Sequence, residues 1–222
     1  MKVGVLFSGG KDSCYAAYKA KQKGHELACL ITMLSKNPDS YMFHTPSIEK
    51  TKVQAKAMDL PLILGKTKGE KEKELKDLEK TIKQAVTKHK IKGIVTGAIQ
   101  SEYQTSRIKE ICNKLKLKCI NPIWQKDELD YLNELIKNRF KIIIIGVAAY
   151  PLDKTWLGKE INRKFVEDAI DLNNKYKIHI AGEGGEFETF VLNCPLFKKE
   201  LIIKDQKISG KDNSWRMDVE VE

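Results

Sequence analysis

The chain has 222 residues, 41% of them hydrophobic and 32% charged, with 40 Lys and Arg against 30 Asp and Glu for a formal charge of +10. That length holds one large domain or two small ones and buries about 70% of the surface an unfolded chain exposes, which excludes a disordered polypeptide and a stapled mini-protein. The excess charge is uneven: residues 1–111 carry 21 basic and 12 acidic side chains, residues 112–222 carry 19 and 18.

A basic half attracts anions, whether nucleotides, nucleic acid or an acidic protein face. Yet 36 of the 40 basic residues are Lys, and Arg is the better fork for phosphates and base edges, so nucleic acid is not the expected partner. The longest apolar stretch, residues 142–151, is half of the roughly 20 residues a membrane-spanning helix needs. The N-terminus has no charged region followed by a small-residue cleavage site. The expectation is a soluble cytoplasmic protein without a membrane partner. Cys14, Cys29, Cys112, Cys119 and Cys194 include no C-x-x-C pair, and they read as buried small hydrophobes rather than a disulfide frame or zinc knuckle.

Residues 1–8 read as a buried strand broken at Gly9-Gly10. Residues 12–24 carry a helical pattern ending at a C-cap glycine. A second strand is expected at 27–34, a loop at 35–47, a helix at 48–58 and a strand at 61–64. Leu75, Leu78, Ile82 and Val86 recur at helical spacing within 69–89, with Glu72–Lys76 and Glu79–Lys83 as i,i+4 pairs on the wet face. A strand follows at 93–98 and a helix at 102–115, an alternation that argues for a parallel sheet covered on both faces. After residue 120 the pattern changes: a helix at 127–138, a very apolar strand at 141–148, a helix at 159–175, then strands at 187–192, 200–208 and 215–221. Short turns such as residues 209–213 point to an antiparallel element. The expected fold is an α/β doubly wound parallel sheet at 1–120, followed by a smaller α+β lobe at 121–222.

The sharpest motif is Ser8-Gly9-Gly10-Lys11-Asp12-Ser13, where a buried strand turns into a helix. Two glycines let the backbone approach an anion, the helix N-terminus offers N–H groups and partial positive charge, and Ser8, Lys11 and Ser13 add donors. It is not a Walker A loop, because Lys11 is followed by Asp12 and the first glycine is misplaced. An ordinary Ser-capped helix after a glycine turn is the plain alternative.

This block resembles the pyrophosphate loop of the ATP pyrophosphatases, with their adenine nucleotide alpha hydrolase-like fold and sheet order 3-2-1-4-5. Further blocks narrow the resemblance: residues 41–46, residues 97–104 with Arg107, Pro122-Ile123-Trp124 with Asp127, Trp156-Leu157-Gly158, and Gly182-Glu183-Gly184-Gly185-Glu186-Phe187-Glu188-Thr189. Together, from Lys2 to about Phe197, they resemble the archaeal and eukaryotic diphthine–ammonia ligases. Ser47 after His-Thr-Pro, where Asn is expected, and Asn193 before Cys-Pro, where an Asp often stands, depart from that pattern.

The resemblance implies that ATP activates the carboxylate of diphthine on elongation factor 2 as an acyl-adenylate. Ammonia then displaces AMP to give diphthamide. It implies pyrophosphate binding by Ser8, Gly9, Gly10, Lys11, Asp12 and Ser13, adenine near Thr32 and Met33, and nucleotide contact at Gly97. Asp12 is the candidate to orient an ATP-bound Mg²⁺. Lys11, Asp12, Arg107, Glu183 and Glu186 are candidate catalytic groups. His44, Gln100, Ser101, Tyr103, Gln104, Trp156, Glu183, Gly184, Gly185, Glu186 and Glu188 are candidate substrate contacts. A quaternary ammonium is held by aromatic faces and carboxylates, so the glutamates with Tyr103, Trp124, Tyr150 or Trp156 are candidates for a cation pocket; core aromatics with solvated glutamates are the alternative. His44 suits loop ordering or substrate contact better than base catalysis, and Arg107 serves either an anion clamp or an ordinary ion pair. A dimer is left open as the oligomeric state. Two other readings stand beside the ligase: a tRNA-modifying pyrophosphatase, weakened by the missing C-x-x-C pair, and a non-catalytic ATP-binding module.

Overall fold

Apolar strand segments alternate with amphipathic helices through residue 124, where a computed structural model divides the chain into two units, Met1–Trp124 and Gln125–Glu222. The structure describes residues 1–35, 50–70 and 72–222. In the first unit β1 (Lys2–Leu6), β2 (Glu26–Ser35), β3 (Leu62–Thr67), β4 (Gly93–Val95) and β5 (Lys118–Ile120) form a parallel sheet in the order β3-β2-β1-β4-β5. This is the expected order. It reverses between β1 and β4, so the C-terminal ends of those strands open the crevice where such sheets bind ligands.

The helices are α1 (Lys11–Gln22), α2 (Thr51–Met58), α3 (Lys73–His89) and α4 (Glu102–Lys114). Alternate strand residues face opposite ways. Cys29, Ile31 and Met33 of β2 pack in one buried cluster with Leu78, Ile82 and Ala85 of α3 and Ile108, Ile111 and Cys112 of α4. Val3, Val5 and Leu30 belong to the other face. There α1, whose Ala16, Ala17 and Ala20 are fully buried, packs against β1, β2 and β4.

The second unit contains α5 (Glu128–Lys137), β6 (Lys141–Val147), a 3-10 turn at Lys154–Trp156, α6 (Arg163–Tyr176), β7 (Phe187–Asn193), β8 (Ile203–Lys211) and β9 (Ser214–Val221). Its antiparallel sheet has the order β7-β6-β9-β8. Ile142, Ile143, Ile144, Ile145 and Val147 are all buried, and burial on both faces explains why β6 reads as an unbroken apolar run. The outer strand β8 is exposed from Lys204 to Lys211, and its charges blunt the sheet edge against further pairing.

Several elements differ from the sequence-based expectation. β4 stops at Val95 because the chain leaves the sheet to lay Gly97 against α1. β5 is only three residues long, too short to show a period. α6 starts at Arg163 because Glu160 bridges to Ile143 and the Asn162 carboxamide accepts from the Phe165 N–H at 3.0 Å. The β8–β9 hairpin closes on Asp212-Asn213, with Lys211 opposite Ser214. No helix among the described residues is long and apolar enough to cross a membrane.

Candidate active site

The Ser8–Ser13 loop leaves the C-terminal end of β1 at the reversal in strand order. Gly9 has φ +84°, the left-handed region, and a Cβ there would lie 2.2 Å from Gln54 Oε1. Gln54 of α2 is fully buried and donates from Nε2 to the Gly9 carbonyl at 2.9 Å. Ser13 Oγ donates to the Gly10 carbonyl at 3.1 Å and accepts from the Ser8 N–H at 3.3 Å. Ser8 Oγ accepts from the Gly10 N–H at 3.4 Å. The two hydroxyls therefore shape the turn as well as lining it. α1 begins on Gly10 with no side-chain cap, whereas Ser101, Asp127 and Asn162 cap α4, α5 and α6. α2 and α3 also lack a side-chain cap, so what sets the N-terminus of α1 apart is the glycine turn in front of it. Lys11 is buried, and its Nζ donates to both oxygens of Asp12 at 2.9 and 3.1 Å.

Gly97, after β4, completes this end of the sheet. A Cβ on it would stand 2.7 Å from the Asp12 carbonyl group, so only glycine lets the two segments approach. Thr32 and Met33 are buried: Thr32 Oγ1 donates to the Phe7 carbonyl at 2.7 Å, and Met33 belongs to the core under α3. Their side chains fasten β2 rather than face solvent. Ser101 caps α4 by accepting from the Gln104 N–H at 3.3 Å, and Gln100 is exposed beside it. Arg107 Nη2 meets Glu72 Oε1 at 2.9 Å, and the Tyr103 hydroxyl donates to the same oxygen at 3.2 Å. The guanidinium also lies 5.5 Å from the Tyr103 ring centre. His44 lies outside the described residues.

The cysteines do not all behave alike. Cys119, partly exposed, shares a hydrogen bond with Cys112, which pulls its thiol below the ordinary range with help from Lys109 and pushes the Cys112 thiol up.

In the second unit the glycine-rich block is organised by two carboxylates. Glu186 is buried and accepts from the His179 N–H at 2.8 Å and the Gly184 N–H at 2.9 Å. Glu128, in the first turn of α5, contacts His179 Nδ1 at 2.7 Å with one oxygen and accepts the Ala181 N–H at 2.9 Å with the other. The Glu128 hydrogen bond raises the proton affinity of His179 above that of an ordinary imidazole. The charges of Glu128, Glu186 and Glu183 add to this, against partial desolvation. Gly184 and Gly185 are exposed.

Glu188 of β7 lies across from Gly146 of β6, and Arg216 of β9 flanks Gly146 on the other side. Residues directly opposite share a face, so the missing Gly146 side chain leaves a lane between carboxylate and guanidinium. Desolvation pushes the Glu188 carboxyl up to about 7, with Arg216 opposing. The Trp156 ring meets Phe165, and Phe165 meets Phe187, each edge-on at 5.6 Å. Lys159 Nζ sits 3.9 Å from the Trp156 ring centre, so a cation already occupies that aromatic face. Tyr150 pairs instead with Tyr176 at 5.4 Å.

Gln54, His179, Glu128 and Arg216 are among the residues that escape the sequence analysis. Gln54 sits in line with the buried Thr51, Ala55 and Met58 of α2, so its signal is a polar residue on an apolar helical face. His179 stands just before the glycine-rich block. Glu128, 51 residues earlier, has no local signal.

The profile of the diphthamide synthase N-terminal domain matches residues 1–119, and that of the diphthamide synthase C-terminal domain matches residues 127–220. A diphthine–ammonia ligase of Bos taurus is 38% identical over 228 residues, covering 94% of this chain and 85% of that protein. One of Homo sapiens is 36% identical over 230 residues, covering 94% and 85%. One of Schizosaccharomyces pombe is 35% identical over 224 residues, covering 94% of this chain but 37% of that longer protein. A solved structure described as a predicted subunit of tRNA methyltransferase from Methanocaldococcus jannaschii shares 18% identity over 90% of this chain and 99% of its own, with a TM-score of 0.42, too slight a likeness to bear on function. Matched in both halves and at these identities, the chain belongs to the diphthamide synthase family and is a ligase.

Proposed function

We propose that this ligase amidates diphthine on elongation factor 2 to diphthamide in the cytoplasm. The diphthine carboxylate attacks the α-phosphorus of ATP, pyrophosphate leaves, and ammonia displaces AMP from the acyl-adenylate. The observation that carries the reading is the glycine turn at the mouth of α1. Its left-handed Gly9, locked by Gln54, and the buried Lys11 form a preorganised cradle for the pyrophosphate leaving group. Residues 1–120 take the nucleotide in this reading, and residues 121–222 take diphthine.

Among the described residues no three His, Cys, Asp or Glu side chains gather as a metal site. Mg²⁺ is commonly held by one or two carboxylates plus the phosphates it accompanies. Asp12 is the loop carboxylate that fits it, and the ion would supply charge neutralisation on the phosphate oxygens. Glu183 contributes negative charge toward the trimethylammonium group, while Glu186, with both oxygens on loop amides, holds the block in shape. Gln100, Ser101, Tyr103, Gln104, Trp156 and Glu188 remain the proposed substrate-side residues, with Arg107 as the anion clamp if it leaves Glu72. No covalent enzyme nucleophile is required.

The test is to incubate the protein with ATP, ammonium and diphthine-bearing elongation factor 2. AMP and diphthamide should form in equal amounts and only with all three present. ATP consumption that requires RNA would replace this reading with the tRNA-modifying one, and ATP binding without turnover would leave a nucleotide-binding module.

A further inference from the structure

All five cysteines lie among the described residues, and two of them meet. Cys112 sits in the last turn of α4 and is fully buried. Beyond it the chain reverses tightly. The Leu115 N–H donates to the Ile111 carbonyl at 3.0 Å and the Leu117 N–H to the Cys112 carbonyl at 2.8 Å, while Lys116 takes a left-handed φ of +56°. The reversal delivers the chain into β5, where Cys119 pairs with Ile94 of β4 and packs against the same core cluster that holds Cys112. The two sulfurs share a hydrogen bond there, with the Cys112 S–H donating to Cys119. Cys119 alone of the five is partly exposed. Cys14, Cys29 and Cys194 are buried, and burial pushes the Cys29 and Cys194 thiols up.

A buried thiol that keeps its proton, beside an accessible sulfur that gives its proton up, is a resolving thiol beside a nucleophile. The hydrogen bond from Cys112 holds the Cys119 thiol down at about 7 against partial desolvation, and the charge of Lys109 on α4 adds to it. Sulfurs already in contact have only to close to the about 2.05 Å of a disulfide. We propose that Cys119 and Cys112 form a reversible redox pair, in which a hydroperoxide oxidises Cys119 and Cys112 closes a disulfide onto it. The pair lies wholly within the first unit and needs neither ATP nor diphthine. The Cys119 thiolate attacks one oxygen of the peroxide, the O–O bond breaks, and the other oxygen leaves as hydroxide and takes a solvent proton to become water. Cys119 is now a sulfenic acid, oxidised by the two electrons the peroxide gained. The Cys112 sulfur then attacks the Cys119 sulfur. The S–S bond forms, the S–O bond breaks, and the departing hydroxide leaves as water with the Cys112 proton. The bond staples the end of α4 to β5 and shields Cys119 from the irreversible sulfinic and sulfonic acids. A dithiol reductant reverses it by thiol–disulfide exchange.

The experiment treats the reduced protein with hydrogen peroxide and reads the products by mass spectrometry. Wild type should give one product, two hydrogens lighter and without added oxygen, that reverts with dithiothreitol. Trypsin separates the two cysteines at Lys114, Lys116 and Lys118, so the bond shows as residues 110–114 linked to residues 119–126. Cys112→Ala should instead accumulate a Cys119 sulfenic acid that dimedone traps, and Cys119→Ser should form no disulfide. Before any peroxide is added, iodoacetamide should label Cys119 in the folded protein at least about tenfold faster than Cys14, Cys29 or Cys194. Cys112 is fully buried, so if Cys112→Ala fails to fold, the wild-type products and labelling rates decide. Products linked between two chains, oxygen added to Cys119 with no link to Cys112, or equal reaction at the other cysteines would overturn the proposal.

Discussion

Gly9 shows how much one residue can decide. Its φ of +84° strains any residue with a side chain, and a Cβ there would push aside Gln54 Oε1, which lies 2.2 Å from its site. Gly9→Ala should destabilise the protein by about 1–3 kcal/mol and weaken ATP binding at least about tenfold by displacing Gln54 from the loop carbonyl. Thermal unfolding and calorimetric ATP titration read the two effects. Gly24→Ala is the control: φ is +78° there, yet nothing lies within 4 Å of its Cβ position, so stability should fall while ATP affinity holds. The loop was legible in the sequence because the motif is contiguous and each residue acts through its neighbours. Gln54, 45 residues away, was not, because a helical glutamine shows its partner only once the chain is folded.

At the scale of elements, β6 carries the second unit. Its isoleucines announce a strand buried on both faces, and Gly146 within that run marks where Glu188 and Arg216 come alongside. The folded protein holds the Glu188 proton up to about pH 7, whereas an ordinary glutamate loses it near 4.5. The folded state therefore binds more protons in that window, and the stability associated with neutral Glu188 is full below pH 4.5 and lost as pH rises through 7. Glu188→Gln should match wild type near pH 4.5 and exceed it at pH 8 by at most about 3 kcal/mol, as urea denaturation at both values would show. An equal difference at the two pH values would mean that Glu188 titrates normally. Elements with a sustained period were legible. β5 was not, because three residues carry no period, nor was the start of α6, which a bridge to β6 decides.

Across the whole molecule, the unit boundary sharpens the meaning of the charge. Residues 1–124 carry 24 basic and 12 acidic side chains, a balance of +12, and residues 125–222 carry 16 and 18, a balance of −2. The first unit therefore holds the entire excess together with the Ser8–Ser13 loop. ATP affinity should fall by about one order of magnitude between 50 and 500 mM KCl. A flat salt dependence would mean that the loop's direct contacts act alone.

Composition, period and one contiguous motif determined the parallel sheet, the antiparallel element and the glycine turn at Ser8–Ser13, because these depend on residues close in sequence. Only tertiary structure could decide that Gln54 locks Gly9, that Glu186 braces its loop, that Glu188 faces Arg216 across Gly146, and that Glu128 orients His179. Each is a polar contact between distant segments, and such contacts have no local signature: their partners are chosen by the packing that buries the segments around them.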